Sequence, residues 1–460
     1  MRSLTPRYLT VSGGPDTFSR LGRGLVAGLT ALMLTLAICS AARAATTFYI
    51  RGGGDGHGIG MSQYGAYGYA LHGAGYQTIL AHYYQGTSLG TTNPNRTVRV
   101  LLGSGAASFS GATSAGRTAL SAGTTYRVAS AGSAVRLTTA AGKAVGTFAA
   151  PLTVSGPAPL SMPGHGTYRG ALVFSPSAGG IQTVNAVGLD DYVRGVVAAE
   201  MPAGWATAAL EAQAVAARTY AITASVGGNG YDLYDDTRSQ MYGGVGAETP
   251  STNAAVAATS GQIVTYDGQP AVTYFFASSG GYTESIQNAW PGSTPEPWLR
   301  GVPDPYDSAG GNPYHRWGSQ MTPAAAAARL GGLVKGSLIG IRVTRHGVSP
   351  RIVSAQVVGT RGTSTVTGAQ LQSIFGLNST YVAFTTITTQ DPTGRVSGSV
   401  FPGPAGSGSV TLQSSSSSSG GWRTVGQLTL SAGGAYGATV PAGRYRIVDA
   451  GIDGPVVTVG

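Results

Sequence analysis

The 460 residues contain one cysteine, Cys39, and it stands inside an N-terminal apolar run. A chain trimmed beyond that run has no thiol, no disulfide and no cysteine-based metal site, so its stability must come from its cores. Charge is also scarce: charged residues make up 10% of the chain against 73 glycines, and the surface must be built largely from Ser, Thr, Gly, Asn and Gln. That composition reads as an extracellular protein. Apolar residues at 42%, with aromatics spread along the chain, exclude disorder. No run of Lys and Arg is present, so no nucleic-acid partner is expected, and the lack of a Walker pattern argues against a phosphate cradle.

What the N-terminus does contain explains the compartment. Arg20 and Arg23 precede the apolar run 24–39, and Ala42-Arg43-Ala44 supplies a small-residue cleavage site. Residues 1–44 therefore read as a signal peptide, the run being short for a spanning helix. The expected protein is secreted, extracellular or cell-wall associated, and touches a membrane only through the uncleaved leader. An uncleaved anchor is the alternative; a lipoprotein through Cys39 is disfavoured by bulky Ile38. Removing a leader with five arginines and one aspartate lowers the formal charge from +10 to +6. A moderately basic exported protein can be drawn to an anionic polymer by its long-range field.

The length suits two or three domains. Residues 46–51 (TTFYIR) are a strand candidate running into a loop, 52–60, whose glycines demand positive φ or close approach. Ser62 can cap a helix reaching about His72, and 77–84 form a second. Residues 97–187 read as short strands between Gly/Ser/Ala turns, with 151–163 a loop or edge. Asp190 is placed as the N-cap of a helix that Pro202 closes, and an Ala-rich helix follows over 206–225. Strands are expected at 262–266 and 271–276. Near Thr389 the composition turns Gly/Ser-rich, with a serine run at 414–419 amid short strand candidates. The expected fold is α+β: a mixed, β-rich domain with a few short helices over 45–388, and a small all-β, sandwich-like module over 389–460.

Five stretches together resemble the SpoIID/LytB family, named for stage II sporulation protein D and an autolysin modifier. They are GHGIGMSQYGA (56–66), DDYV through EMP (190–202), LEAQA through ARTY (210–220), SQMYGG (239–244) and SGGYTES (279–285). The resemblance covers residues 46 to 388 and not the tail. In the family the GHG segment usually follows the last strand; here it comes first, so the chain reads as circularly permuted and residues 46–51 should lie beside 382–388. Some members carry a Cys/His zinc site, which a mature chain without cysteine cannot reproduce. No metal and no cofactor are expected.

The resemblance implies lytic transglycosylase-like cleavage between N-acetylmuramic acid and N-acetylglucosamine, with peptidoglycan glycan strands as partner and other cell-wall enzymes as further partners. The alternative is a non-catalytic glycan-binding or autolysin-modifying wall protein. Glycoside cleavage needs an acid that protonates the leaving oxygen and then acts as base. Glu200 suits that role: it stands in the last turn of a helix among Val, Ala and Met, where burial and the helix dipole favour the protonated form. A surface glutamate is the plainer alternative. Arg218 would orient Glu200 or hold a sugar carboxyl, unless it pairs with another acid. His57, Ser62 and Gln63 would contact substrate, although Ser62 also suits a helix cap. Ser279, Thr283, Glu284, Trp298 and Arg300 match a family stretch near the cleft. Glu284 is the best second carboxylate for a hydrolytic variant, and ordinary strand-end structure is the other reading of these positions.

Overall fold

The computed structural model describes residues 44–417 and 421–460. The expected leader, apart from Ala44, and residues 418–420 of the serine-rich stretch lie outside the described residues. Strand accounts for 42% and helix for 20%, which makes the protein a β-rich α+β fold. Eight α-helices are described: α1 (Gln63–Leu71), α2 (Tyr76–Tyr83), α3 (Leu189–Glu200), α4 (Thr207–Thr223), α5 (Pro250–Ala258), α6 (Ile286–Ala289), α7 (Pro323–Leu330) and α8 (Gly368–Phe375). None of the described helices is long and apolar enough to cross a membrane.

The first strand, Ala45–Gly52, is the seam of the molecule. It pairs antiparallel with Val382–Gln390 in the register Thr46↔Thr388 and Arg51↔Ala383, so the two segments expected to be neighbours are hydrogen-bonded along their length. Trp317–Met321 covers its other edge, and Arg395–Phe401 and Ala435–Thr439 continue the sheet beyond Val382–Gln390. Side chains of a strand alternate between faces. Phe48 and Ile50 thus enter one core with Ile341, Leu371, Phe375 and Phe384, while Tyr49 enters a second with Ile387, Val400, Leu412 and Ile447. That second core is closed by the tail strands Gly408–Ser415, Arg423–Leu430 and Gly443–Asp449, giving the tail its two layers. The sheet runs unbroken through residue 389.

The largest core surrounds α3 and α4. It rests on a seven-stranded sheet in which Gly180–Gly188 pairs with Thr97–Gly105 and leads directly into α3. Helix α4 is buried all round, packed by α1, α2, α3, α5 and strand Gln262–Tyr266. Its alanines let these neighbours approach closely, and an all-round apolar helix belongs in an interior.

Three local expectations are corrected. Gly188, not Asp190, is the N-cap of α3; Asp190 lies in the first turn, where its carboxylate is taken by Arg218 and Ser260. Of the strand expected at 271–276 only Phe275–Phe276 forms, parallel to Met61–Ser62. The region 151–163 contains strands Leu152–Ser155 and Leu160–Met162, the first inside the seven-stranded sheet.

Candidate active site

Pro202 ends α3 because it lacks an N–H and restricts Met201, which is extended at φ −128°. Glu200 is therefore the last helical residue, projecting where the unsatisfied carbonyls make negative charge unfavourable. Opposite stands the glycine loop. Its backbone takes positive φ at Gly54, Gly56, Gly58 and Gly60. A β-carbon on Gly58 would collide with the guanidinium of Arg351, and one on Gly60 with the carbonyl of Tyr274, so the loop can lie this close only as glycine. The loop feeds α1, whose first residue is Gln63.

Gln63 Nε2 donates to Glu200 Oε2 at 3.2 Å, and the backbone N–H of Met241 donates to Oε1 at 2.7 Å. Burial pushes the Glu200 carboxyl above its ordinary value, and these two donors offset part of that rise. A groove of about 570 Å³ opens in front of it, lined by Gln63, His57, Asp55, Tyr220, Tyr274, Phe276, Arg238 and Trp290. The rings of Tyr274 and Trp290 meet edge to face at 4.8 Å and supply apolar walls of the kind that stack on sugars.

His57 packs within 5.1 Å of Trp290 and 5.4 Å of Phe276. Its Nδ1 accepts from the Ile59 N–H at 3.0 Å, so the neutral ring carries its proton on Nε2. Burial, reinforced by the nearby Arg351 cation, depresses its pKa to about 3. His57 therefore meets the groove as a neutral imidazole.

The other expected site residues are placed elsewhere. Arg218 is fully buried and bonded to Asp190 at 2.6 Å, with further bonds to the carbonyls of Ala214, Gln262 and Val256. Asp190 lies in the first turn of α3 and Glu200 ends it, a separation of roughly 15 Å at the helical rise. Arg218 braces four elements and does not orient Glu200. Ser62 caps α1 by accepting from Gly65 N, donates to Asp307 and accepts from Ser279 N, which leaves nothing for a sugar. Ser279 donates to Asp304 at 2.7 Å, and Thr283 exchanges hydrogen bonds with the Val302 backbone. Glu284 is 1% exposed and accepts from five groups: Ser285 N, Asn288 Nδ2, Val348 N, Ser349 N and Ser349 Oγ. That environment corrects its expected role as a second groove carboxylate. Trp298 donates its indole N–H to the Val272 carbonyl, and Arg300 lines a separate cavity of about 500 Å³ beside Tyr282 and Glu296.

Three expected residues, Glu200, His57 and Gln63, thus share one groove. Sequence reasoning missed Asp55, Trp290 and the Met241 N–H. Asp55 was visible as a lone carboxylate within the glycine run; the N–H contact has no residue-type signature.

Fold and groove together define an α+β domain in which a helix-terminal glutamate faces a glycine loop. Residues 177–266 match the family described as Stage II sporulation protein, SpoIID. Over 215 residues it is 33% identical to stage II sporulation protein D of Bacillus subtilis, covering 43% of this chain and 60% of that protein. The same-named protein of Bacillus amyloliquefaciens is 36% identical over 143 residues, 27% of this chain and 41% of the relative. The amidase enhancer of Bacillus subtilis is 42% identical over 103 residues, 22% of this chain and 14% of that protein. The chain spans less than two thirds of each of these relatives.

Proposed function

We propose that this protein is a secreted enzyme that cleaves cell-wall glycan by a lytic transglycosylase-type reaction, with Glu200 as its single acid/base. The observation that carries the reading is Glu200 itself: a half-buried carboxyl at a helix C-terminus, opening on an aromatic-walled groove, held by two donors and favoured in its protonated form. One relative is named an amidase enhancer, which supports a wall-associated role.

In the first step the Glu200 carboxyl gives its proton to the glycosidic oxygen as the bond to the muramic acid C1 breaks. The C6 hydroxyl of the same sugar then attacks C1, and its proton passes to the Glu200 carboxylate. The product is an internal anhydro ring, no water is consumed, and Glu200 is regenerated. Gln63 and the Met241 N–H hold the carboxyl in one orientation throughout, while the ring walls seat the sugar. All groove residues lie between positions 55 and 290, so we assign cleavage to residues 45–388 and none to the tail.

Incubating the chain from residue 45 onward with purified, peptide-free glycan tests the proposal by mass spectrometry. Anhydro-ended fragments are expected from wild type and none from Glu200→Gln. Absence of product from wild type, or equal product from the variant, rejects the assignment. Asp55 also lines the groove; reducing-end products lost in Asp55→Asn would establish a two-carboxylate hydrolysis instead.

A further inference from the structure

From Gly56 to Leu189 the chain runs for 134 residues without one Asp or Glu, yet it carries Arg96, Arg99, Arg117, Arg127, Arg136, Lys143 and Arg169. Some of this charge is balanced from outside the segment: Arg99 pairs with Asp232 and Arg169 with Glu248. Arg127, Arg136 and Lys143 make no ion pair among the described residues, and all three are exposed.

These three are gathered by one sheet, in the order Ala144–Ala149, Ala134–Thr139, Tyr126–Ala131, Ala107–Phe109. Tyr126, Val128, Val135 and Leu137 alternate into the core. The intervening residues make the outer face. There Ser108 stands opposite Arg127, Arg127 opposite Thr138, and Ala129 opposite Arg136. Arg127 and Arg136 are diagonal neighbours, which sets them roughly 7–8 Å apart. Between and around them lies a trough of about 640 Å³, floored by small residues such as Ala129 and Ala144 and edged by Ser108 and Thr138. Lys143 is on the turn between two residues that line it.

We propose that this outer face binds a flexible, phosphodiester-linked polyol polymer, seating successive phosphates on Arg127 and Arg136. The trough offers hydrogen-bond donors and positive charge with no carboxylate to repel an anion, and guanidinium forks match phosphate oxygens. A polyol phosphate presents one permanent charge every few backbone atoms, close enough to engage a diagonal pair. The carboxylates of a substituted glycan recur at wider, disaccharide intervals. Single-stranded nucleic acid would want rings for base stacking, and no aromatic side chain lines the trough. The surface shares no residue with the Glu200 groove and does not rest on the cleavage reading; it would tether the protein where such a polymer accompanies its substrate.

The test is calorimetric titration of the chain from residue 45 with synthetic poly(glycerol phosphate), with a single-stranded oligonucleotide and a neutral chitin oligosaccharide alongside. Expected are saturable binding of the polyol phosphate, severalfold weaker at physiological than at low salt, and a loss of about tenfold or more in the Arg127→Gln/Arg136→Gln variant. Thr138→Trp, which fills the trough and leaves both arginines, should weaken binding as well, so a double variant that failed to fold would not protect the idea. Thermal melts establish that each variant is folded. No binding by wild type at low salt, undiminished binding by both variants, tighter binding of the oligonucleotide, or competition by the neutral oligosaccharide each overturns the proposal.

Discussion

Two glutamates, each beside the same glycine loop, have been put to opposite uses. Glu200 receives two hydrogen bonds and faces a groove. Glu284 receives five and is sealed, with the buried Arg351 nearby and Ser349 bonded to both residues. Arg351 in turn donates to the Gly56 carbonyl at 3.0 Å. The number of donors decides the character of each acid. A carboxyl whose acceptor sites are all taken internally braces the structure; one left with spare capacity, as Glu200 is, remains open to a ligand.

The largest effect should come from Glu200→Gln. Glycan cleavage is expected to fall by about 10² to 10⁴ or more, while the fold is retained. The sign on stability follows from linkage. Because the folded pKa is raised, Glu200 contributes most when protonated, and that contribution is lost as pH rises above the ordinary glutamate range. The glutamine variant should therefore melt at or above the wild-type temperature at neutral pH. A large drop in melting temperature would make Glu200 a structural acid like Glu284 and break the contrast.

Glu284→Ala should do the reverse. It strands several buried donors and the Arg351 cation, at a cost of about 3–5 kcal/mol in denaturant unfolding. A stable variant that had lost cleavage would move Glu284 into the machinery. Arg218→Ala should fall toward the lower end of the same range, because Asp190 keeps its Ser260 bond and some solvent access. Its glycan affinity should be unchanged in a binding titration.

Gln63→Ala removes a donor from the Glu200 carboxylate, so the Glu200 pKa should rise further and the alkaline limb of the pH–rate profile move to higher pH, with a rate loss of about tenfold. An unmoved limb would mean that Gln63 does not act through Glu200. The smallest effect concerns the framework behind the loop. Burial, with repulsion from Asp307, raises Asp304 to about 7. Its contribution is full at acid pH, below the ordinary aspartate range, and is lost as pH rises through about 7. Melting temperature followed against pH should slope downward over that window, and less so in Asp304→Asn.

Much was legible from local rules. Ser62 as a cap, Pro202 as a stop and the tail strands all follow from backbone sterics, capping and alternation, which operate over a few residues. Those rules put Glu200 in the last turn of a helix. The misassigned stretches were ones where a distant partner prevailed. Residues 271–274 form no strand; the Tyr274 carbonyl instead receives the Met61 N–H and the Tyr84 hydroxyl, from far earlier in the chain.

The sequence by itself determined where α1 begins and where α3 ends, the glycine loop and the types of residue available for chemistry, because each depends on near neighbours. Tertiary structure alone decided which polar groups remain available. Ser62 meets Asp307, Glu284 meets Ser349 and Arg218 meets Gln262, across separations that no periodicity encodes. A buried polar side chain must be bonded or incur its full desolvation cost. Once those partners are assigned, Glu200, Gln63 and the neutral His57 are what the groove retains of the site residues expected from sequence.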